Sequence, residues 1–455
     1  PTPWPPRRRR AAPVTMVPVS DTKDVQRTLD LALRIGELLL SNGAGAADVT
    51  ATMASVTHHL GLRHTLVDVT FTSLTLSHQE SVDDTPIVMR RHVTHREVDY
   101  ADLTAVDLLV RALLAGEIDR DEAASSVLRI ASTGHPRPRW AITASWGVTG
   151  AGIALLLGGT WIVLAVAAVA GSVIEVVQRR IERLRLPFFY SQVAGALVGT
   201  LIAVAVAASP APVDPSVVVT AAIVMLLAGL GFIGAIQDAL TGFTITANAR
   251  LMEVMIATVG IIVGVSAGLH VGGWLGLDLS IDPGASGLGQ LPGVMLGAGV
   301  TAGAFAVSAY SPKRIVTPIA LLAALTSGAF LLVTQSDVGR PGAAGVAAFT
   351  IGFLGYYMAR NFRVPPLVVV VSCIVPLLPG LSIYRALSLL AGEDISGLLP
   401  MITAAGIAIA LASGVLLGQY VAQPLGHEAR RLERRLAGPR LVGPLRARTG
   451  RGRRG

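Results

Sequence analysis

The residues whose types and spacing could support chemistry are concentrated between Leu226 and Glu253 (LLAGLGFIGAIQDALTGFTITANARLME). Each glycine in a helix costs about 1 kcal/mol relative to alanine, and this stretch contains Gly229, Gly231, Gly234 and Gly242. Polar side chains crowd beside them: Gln237, Asp238, Thr241, Thr246, Asn248, Arg250 and Glu253. This pattern predicts a broken helix, whose free N–H groups attract a carboxylate while its free carbonyls and an Asp attract an ammonium group. Together these groups suit a zwitterion.

Asp238 is the residue predicted to bind the ammonium group or a proton, because an ionisable side chain at the end of an apolar span is costly unless paired or hydrated. The alternative is an interfacial Asp238 that caps the following turn. Arg250 and Glu253 are three residues apart on the next predicted helix, where they form either a substrate clamp or an interfacial ion pair. Four residues could bind a hydroxyl group or act as ordinary turn residues: Gln237, Thr241, Thr246 and Asn248.

A second interrupted stretch lies about 150 residues later, where Pro376, Pro379 and Gly380 break an apolar span. The polar residues that follow are Ser382, Tyr384 and Arg385. Arg385 lies several residues inside its predicted helix, so its guanidinium group faces the bundle interior or snorkels to the surface. Ser382, Tyr384 and Arg385 are therefore the second group of candidate site residues.

Composition excludes a soluble globule, because 52% of the residues are hydrophobic and only 15% are charged, against roughly 25% charged in soluble domains. The net charge of +8 equals that of residues 426–455 alone, which contain ten Arg and two Glu. The net positive charge of the chain is therefore no argument that its folded part binds nucleic acid. A single cysteine, Cys373, excludes a disulfide framework and a Cys-based zinc site. Six histidines between His58 and His95 lack a metal-binding motif, so no metal is predicted.

The chain divides into five parts. Residues 1–20 are predicted to be a disordered arm, residues 21–135 a small α+β domain that remains in the cytoplasm, and residues 426–455 a basic cytoplasmic tail. A hairpin is expected near 65–89, with helices around it. The intervening region, 141–275 and 291–425, contains ten apolar runs that predict an all-α membrane bundle. Those runs are 141–159, 160–178, 187–208, 216–238, 251–272, 291–310, 315–333, 341–359, 364–390 and 400–422.

Charge in the connectors predicts the orientation of this bundle. With the α+β domain inside, the inner connectors hold nine Lys or Arg residues and the outer ones only Arg340. Cytoplasmic loops are enriched in these residues, so both termini are predicted to be cytoplasmic. The region also repeats itself: Leu226–Leu230 recurs as Leu377–Leu381, and Gly264–Gly268 as Gly414–Gly418. Two halves of five helices would have opposite orientations, an arrangement found in many secondary transporters. Chance similarity between glycine-rich helices is the alternative.

Three segments resemble the bacterial threonine/serine exporter family in its fused form. They are GELLLSNGA (Gly36–Ala44), GAIQDALTGFTITANARLMEVMIATVGIIVGV (Gly234–Val265) and VPLLPGL (Val375–Leu381), within a resemblance that runs from about 25 to 425. In relatives the first motif often continues as Gly-Ala-x-x-x-Arg-Val-Glu, whereas residues 45–50 here read GAADVT and lack that Arg and Glu.

The resemblance implies a multi-pass antiporter of the bacterial cytoplasmic (inner) membrane, not an enzyme. It implies export of L-threonine and L-serine driven by the proton motive force, with no cofactor. The partners are then the substrate, protons and the lipid bilayer. The resemblance leaves open whether the protein forms a homo-oligomer. Two alternatives also stay open: an exporter of small organic acids such as dicarboxylates, and a membrane-anchored enzyme or sensor that acts through residues 21–135.

Overall fold

A computed structural model describes most of the chain. Residues 1–21 and 424–455, which include the predicted arm and tail, lie outside the described residues. The described positions are 22–81, 83–93, 98–134, 137–209, 215–226, 229–276, 290–336, 338–379, 382, 386, 389 and 395–423. Within them the protein is mostly helical and carries one small sheet.

The amino-terminal domain, residues 22–134, combines four helices with the sheet. The helices are α1 (Thr22–Ser41), α2 (Ala46–His59), α3 (Tyr100–Leu114) and α4 (Arg120–Ser132). Their starts follow from local chemistry: the Asp99 carboxylate accepts hydrogen bonds from two N–H groups of α3, and Asp119 accepts one from α4. By contrast, Gly45 precedes α2 and has no side chain that could cap it.

The sheet has three antiparallel strands, where the sequence had predicted a two-stranded hairpin. They are β1 (Thr65–Val69), β2 (Ser73–His78) and β3 (Ile87–His92), in the spatial order β1-β2-β3. The alternating run from Thr65 to Ser77 was expected to be one strand, but a tight turn divides it. Thr70 makes this turn, since its N–H and hydroxyl groups both donate to the carbonyl oxygen of Ser73.

The hydrophobic core of the domain is continuous with that of the bundle. Leu29, Met53, Leu74 and Leu103 are buried where α1, α2, the sheet and α3 meet. Gly36 on α1 permits this packing, because a Cβ there would lie 2.4 Å from the Met53 sulfur. The apolar face of α1 therefore packs closely on α2.

The remaining chain forms a bundle of long apolar helices. They are α5 (Arg139–Leu156), α6 (Trp161–Arg183), α7 (Phe188–Ala207), α8 (Pro215–Leu226), α9 (Gly229–Leu240), α10 (Thr244–Trp274), α11 (Leu291–Ser308), α12 (Lys313–Val333), α13 (Gly339–Phe362), α14 (Pro366–Ile374) and α15 (Leu398–Ala422). Seven helical segments among the described residues are long and apolar enough to cross a membrane, namely α6, α7, α10 to α13, and Ile395–Ala422.

Three of the ten predicted spans are not among those seven. The span 141–159 corresponds to α5, which begins with Arg139 and contains several Ser, Thr and Gly residues. The span 216–238 contains α8 and α9, which are separated only by residues 227 and 228, outside the described residues. The span 364–390 begins with α14 and continues as a 3₁₀ turn, Val375–Leu377, that contains Pro376. Pro376 thus interrupts this last span near the predicted position, whereas Gly229, Gly231 and Gly234 lie within α9.

Glycines allow the longest helices to pack backbone to backbone. On α10, a Cβ at Gly264 would lie 2.3 Å from the carbonyl oxygen of Val193 on α7. On α15, a Cβ at Gly418 would lie 2.3 Å from the carbonyl oxygen of Phe349 on α13. Helix α5 meets α11 in the same way, through Gly152. A methyl group at these crossings would push two backbones apart.

We therefore expect Gly264→Ala to lower the free energy of unfolding by about 1–3 kcal/mol, because the α7 backbone must move to admit the new methyl group. Thermal denaturation of the detergent-solubilised protein would show this as a lower midpoint. Gly273→Ala on the same helix is the matched control, since nothing lies within 4 Å of its Cβ position. Equal midpoints for the two variants would contradict the packing described here.

Candidate functional site

A buried ion pair joins the end of α9 to the beginning of α10. The Arg250 Nε atom lies 3.0 Å from the Asp238 Oδ2 atom, and only 2% of the Asp238 side chain and 15% of the Arg250 side chain are exposed. The loss of hydration of two such charges is compensated only by close pairing and further hydrogen bonds. Asp238 and Arg250 therefore need further polar partners beyond their contact with each other.

The local sequence explains how this pair forms. The chain reverses at Gly242, whose φ of +93° favours glycine, and the Phe243 N–H group donates to the Asp238 carbonyl oxygen at 2.8 Å. Helix α10 then runs back along α9. Gly234 leaves room for the Arg250 side chain, because a Cβ at Gly234 would lie 2.6 Å from the Arg250 Nη1 atom. The glycines of this stretch thus position its charged groups.

The amino-terminal domain completes the polar network around the pair. The Ala46 N–H group at the start of α2 donates to the Asp238 Oδ1 atom at 3.1 Å. The Arg250 Nη2 atom donates to the Ala44 carbonyl oxygen at 3.2 Å. Asp238 thus supplies the acceptor that α2 lacks in its own sequence, and its charge has the sign that a helix N-terminus favours.

Two further contacts dock the domain on the bundle. The Thr246 hydroxyl group donates to the Val69 carbonyl oxygen at the end of β1, at 3.4 Å. The Tyr100 N–H group donates to the Ala309 carbonyl oxygen, just after α11, at 2.9 Å. The buried Asn42 side chain connects the end of α1 to the start of α3, because its Oδ1 atom accepts a hydrogen bond from the Asp99 N–H group. The domain therefore contacts both α9–α10 and α11.

Arg137, between the domain and α5, strengthens the contact with α11. Its guanidinium group donates to the Val307 carbonyl oxygen at 2.6 Å and also to that of Ser311. Burial lowers the pKa of Arg137, and the nearby Asp99 and Tyr310 oppose this effect. An arginine with a lowered pKa is still protonated at neutral pH. A positive charge is therefore held at the C-terminus of α11, where the helix dipole favours it.

The other predicted site residues of the first stretch lie around the ion pair but differ in exposure. Gln237 is half-buried, and the Thr241 hydroxyl group donates to its carbonyl oxygen at 2.9 Å. Asn248 and Glu253 are exposed on α10. Gly231 packs against α10, because a Cβ there would lie 2.9 Å from Val254. Gly229 begins α9.

The second stretch is only partly described. Pro379 follows the 3₁₀ turn in a non-helical segment, and Ser382 is half-buried. Gly380, Tyr384 and Arg385 lie outside the described residues. The predicted role of Arg385 therefore stays a prediction.

Comparison with known proteins connects this architecture to a family. A family model described as "Putative threonine/serine exporter" matches residues 30–272, and one described as "Threonine/Serine exporter, ThrE" matches residues 294–421. The chain belongs to the threonine/serine exporter family. No solved structure matches it significantly.

Two curated members of this exporter family match almost the whole chain. The "Probable threonine/serine exporter" of Mycobacterium tuberculosis is 35% identical over 421 residues, which are 90% of this chain and 79% of that protein. The "Threonine/serine exporter" of Corynebacterium glutamicum is 33% identical over 427 residues, which are 91% of this chain and 86% of that protein. The resemblance inferred from the three sequence segments is thereby confirmed, and the family is one of transporters rather than enzymes.

Sequence reasoning overlooked a second charged cluster in this member of the exporter family. Glu175 on α6 pairs with Arg179 one turn later and accepts a hydrogen bond from the Thr143 hydroxyl group of α5 at 2.8 Å. The Glu–Arg spacing of four residues was the available signal. Because both Glu175 and Arg179 form hydrogen bonds with the Thr143 hydroxyl group, the cluster connects α6 to α5.

A cleft of about 290 Å³ lies in the amino-terminal domain, between α1, β3 and α4. Its charged groups pair with one another: Arg91 contacts Glu37 and also Asp30, and Arg34 lies 2.7 Å from Asp30. In the described part of the chain no three His, Cys, Asp or Glu residues are placed to hold a metal ion. The Asp238–Arg250 pair therefore remains the candidate site.

Asp238→Ala is expected to lower the free energy of unfolding by about 3–5 kcal/mol, because it leaves Arg250 buried without its carboxylate. The double variant Asp238→Ala/Arg250→Ala should cost less than the sum of the two single variants. Denaturation midpoints of the four proteins measure this coupling. Glu117→Ala, at an exposed position, controls for the loss of a carboxylate as such. Additive effects would show that the ion pair contributes no coupling energy.

Proposed function

We propose that this protein exports L-threonine and L-serine from the cytoplasm and that the Asp238–Arg250 pair binds the two charged groups of the substrate. The observation that carries this proposal is a buried pair of opposite charges at a helix break, in a chain related to proteins named threonine/serine exporters. An amino acid can present its ammonium group to Asp238 and its carboxylate to Arg250. Charge-assisted hydrogen bonds of this kind are strong when shielded from water.

Recognition of the substrate hydroxyl group requires a further polar side chain nearby. Gln237 is the best candidate, because it is half-buried and directly precedes Asp238. Thr241 and Thr246 already donate their hydroxyl protons to backbone carbonyls, which leaves them able to accept a hydrogen bond from the substrate. The site would thus distinguish threonine and serine from amino acids without a hydroxyl group.

Proton coupling is assigned to Asp238. A carboxylate that alternately faces Arg250, an ammonium group and water can exchange a proton during each cycle. Protons entering down the proton motive force would then drive the amino acid outward, which makes the protein an antiporter.

The proposed architecture is a pair of inverted repeats, each with five spans. Equivalent contacts at similar spacings of 152 and 150 residues support it: Gly147 of α5 packs against Ala168 and Ser172, and Gly299 of α11, 152 residues later, packs against Ala320 and Ala324. Gly264 meets Val193 and Ala196, while Gly414 meets Gly345 and Ala348. Helices that cross at the same positions in both halves argue against chance similarity.

The proposed orientation places the amino-terminal domain and both termini in the bacterial cytoplasm. The domain contacts the end of α9 and the loop after α11, and basic residues lie in the loops after α6 and α13 and at the start of α12. A common side for the domain and these basic residues agrees with the positive-inside rule and supports the proposal.

Export of dicarboxylates fits the pair less well, because Asp238 would repel a second carboxylate next to Arg250. An enzyme or sensor confined to the amino-terminal domain would need no contact with a buried pair in the bundle. Both alternatives are therefore weaker than amino acid export.

Efflux from cells preloaded with a threonine-containing dipeptide tests the function. Cells with the intact chain should release threonine faster than cells lacking it, and a protonophore should abolish the difference, because the proton gradient drives transport. Extracellular threonine measures the rate. Equal efflux from both strains, with the protein shown to be in the membrane, would contradict threonine export.

Asp238→Asn should retain threonine exchange across a vesicle membrane but lose export driven by a proton gradient, because the amide can accept a hydrogen bond yet cannot carry the proton. Exchange and gradient-driven uptake are measured in the same proteoliposomes. Glu117→Gln controls for a lost carboxylate. Gradient-driven transport by Asp238→Asn at the parent rate would show that Asp238 does not couple transport to protons.

A further inference from the structure

The loop between α1 and α2, residues 42–46, occupies both charged groups of the candidate site. Its Ala44 carbonyl oxygen accepts a hydrogen bond from Arg250, and its Ala46 N–H group donates one to Asp238. Because Arg250 and Asp238 also contact each other, the four groups form a closed ring. One short backbone segment thus supplies an acceptor for the guanidinium and a donor for the carboxylate.

We propose that this loop is a built-in substitute for the substrate, which closes the site on the cytoplasmic side until an amino acid displaces it. The inference rests on the proposed function, since it assigns the same two side chains to the substrate. A free amino acid offers the same pair of groups, a carboxylate acceptor and an ammonium donor, on either side of one Cα atom. In the loop, Gly45 is the residue between the acceptor and the donor.

The chemistry of the two occupants explains why one can replace the other. The loop offers neutral peptide groups, whereas the substrate offers full charges of the right sign, which add Coulomb attraction to each hydrogen bond. The loop compensates by being tethered, because a group on the same chain has a high effective concentration. A weak but tethered ligand can keep the pair satisfied without preventing exchange.

Local structure suits the loop for this role. Gly45 has no side chain to obstruct the approach, since even a Cβ would lie 3.6 Å from the Asp238 Oδ1 atom, an ordinary contact distance. Gly43 has a φ of +91° and ends α1 in a tight turn. Asn42 anchors the base of the loop to α1 through the Leu38 carbonyl oxygen at 2.8 Å. The loop is thus held at its base and presents only backbone groups at its tip.

The occupied site cannot bind substrate at the same groups, so the loop and the amino acid compete. The apparent affinity for cytoplasmic substrate is then the intrinsic affinity multiplied by the fraction of molecules whose loop is released. Weakening the loop should improve apparent affinity at the cytoplasmic face, an effect that a purely structural contact would not produce.

The first test follows the loop itself. Inside-out membrane vesicles carrying Gly45→Cys in a Cys373→Ser background are treated with a membrane-impermeant maleimide, with and without L-threonine. We expect slow labelling in buffer and several-fold faster labelling with saturating threonine. Ser125→Cys, at an exposed position on α4, is the matched control and should label at one rate in both conditions.

The second test removes one hydrogen bond. Ala46→Pro deletes the N–H donor at the first position of α2, where proline is well tolerated, and the extended Gly45 (φ −68°, ψ 151°) suits a following proline. Losing a hydrogen bond to a charged group should lower the threonine KM at the cytoplasmic face by about tenfold. Labelling of Gly45→Cys/Ala46→Pro should be fast even without threonine.

The outcomes separate the two proposals. Two results would overturn the substitute role of the loop and leave export intact. One is threonine transport with a labelling rate of Gly45→Cys that does not change when threonine is added. The other is an unchanged threonine KM in Ala46→Pro. Absence of threonine transport by the parent protein would overturn both. Threonine-dependent labelling together with the lowered KM supports the loop as the competitor of the substrate.

Discussion

The ion pair between Asp238 and Arg250 is the interaction on which the joint between domain and bundle depends. Two charges removed from water destabilise a protein unless further hydrogen bonds satisfy them, and here these come from Ala44 and Ala46 of another domain. The domain and the bundle therefore stabilise each other. The ion pair gains one hydrogen-bond donor and one acceptor from the domain, and α2 gains the cap that Gly45 cannot provide. Apolar packing adds to this joint, since one cluster of buried hydrophobic residues includes residues of both the domain and the bundle.

The proposed repeats differ in chemistry although they share packing. The glycine crossings of α7 with α10 and of α13 with α15 are alike, yet the positions 150 residues after Asp238 and Arg250 hold Ser388 and Pro400. The glycine crossings are therefore common to both proposed repeats, whereas the Asp238–Arg250 pair lies in the first of them.

Much of this arrangement could be predicted from the sequence, because helix boundaries and membrane spans depend on local patterns. The start and end of α2 and the interruption at Pro376 follow from glycine, proline and hydrophobic spacing. The turn at Thr70 was missed because it interrupts a continuous alternating pattern. The hydrogen bonds from Ala46 and to Ala44 could not be predicted from the sequence, because backbone groups carry no residue-specific signal and their partners lie about 200 residues away.

That separation also sets an order of events during synthesis. The Ala46–Asp238 and Ala44–Arg250 contacts span 192 and 206 residues, and the Arg137 contacts with α11 span 170 and 174. At about 5–20 residues per second, the ribosome needs roughly 10–40 s to make the docking surface after the domain has emerged. During this interval the first turn of α2 lacks the Asp238 acceptor. Docking is therefore a late step, which becomes possible only when α9, α10 and α11 are in the membrane.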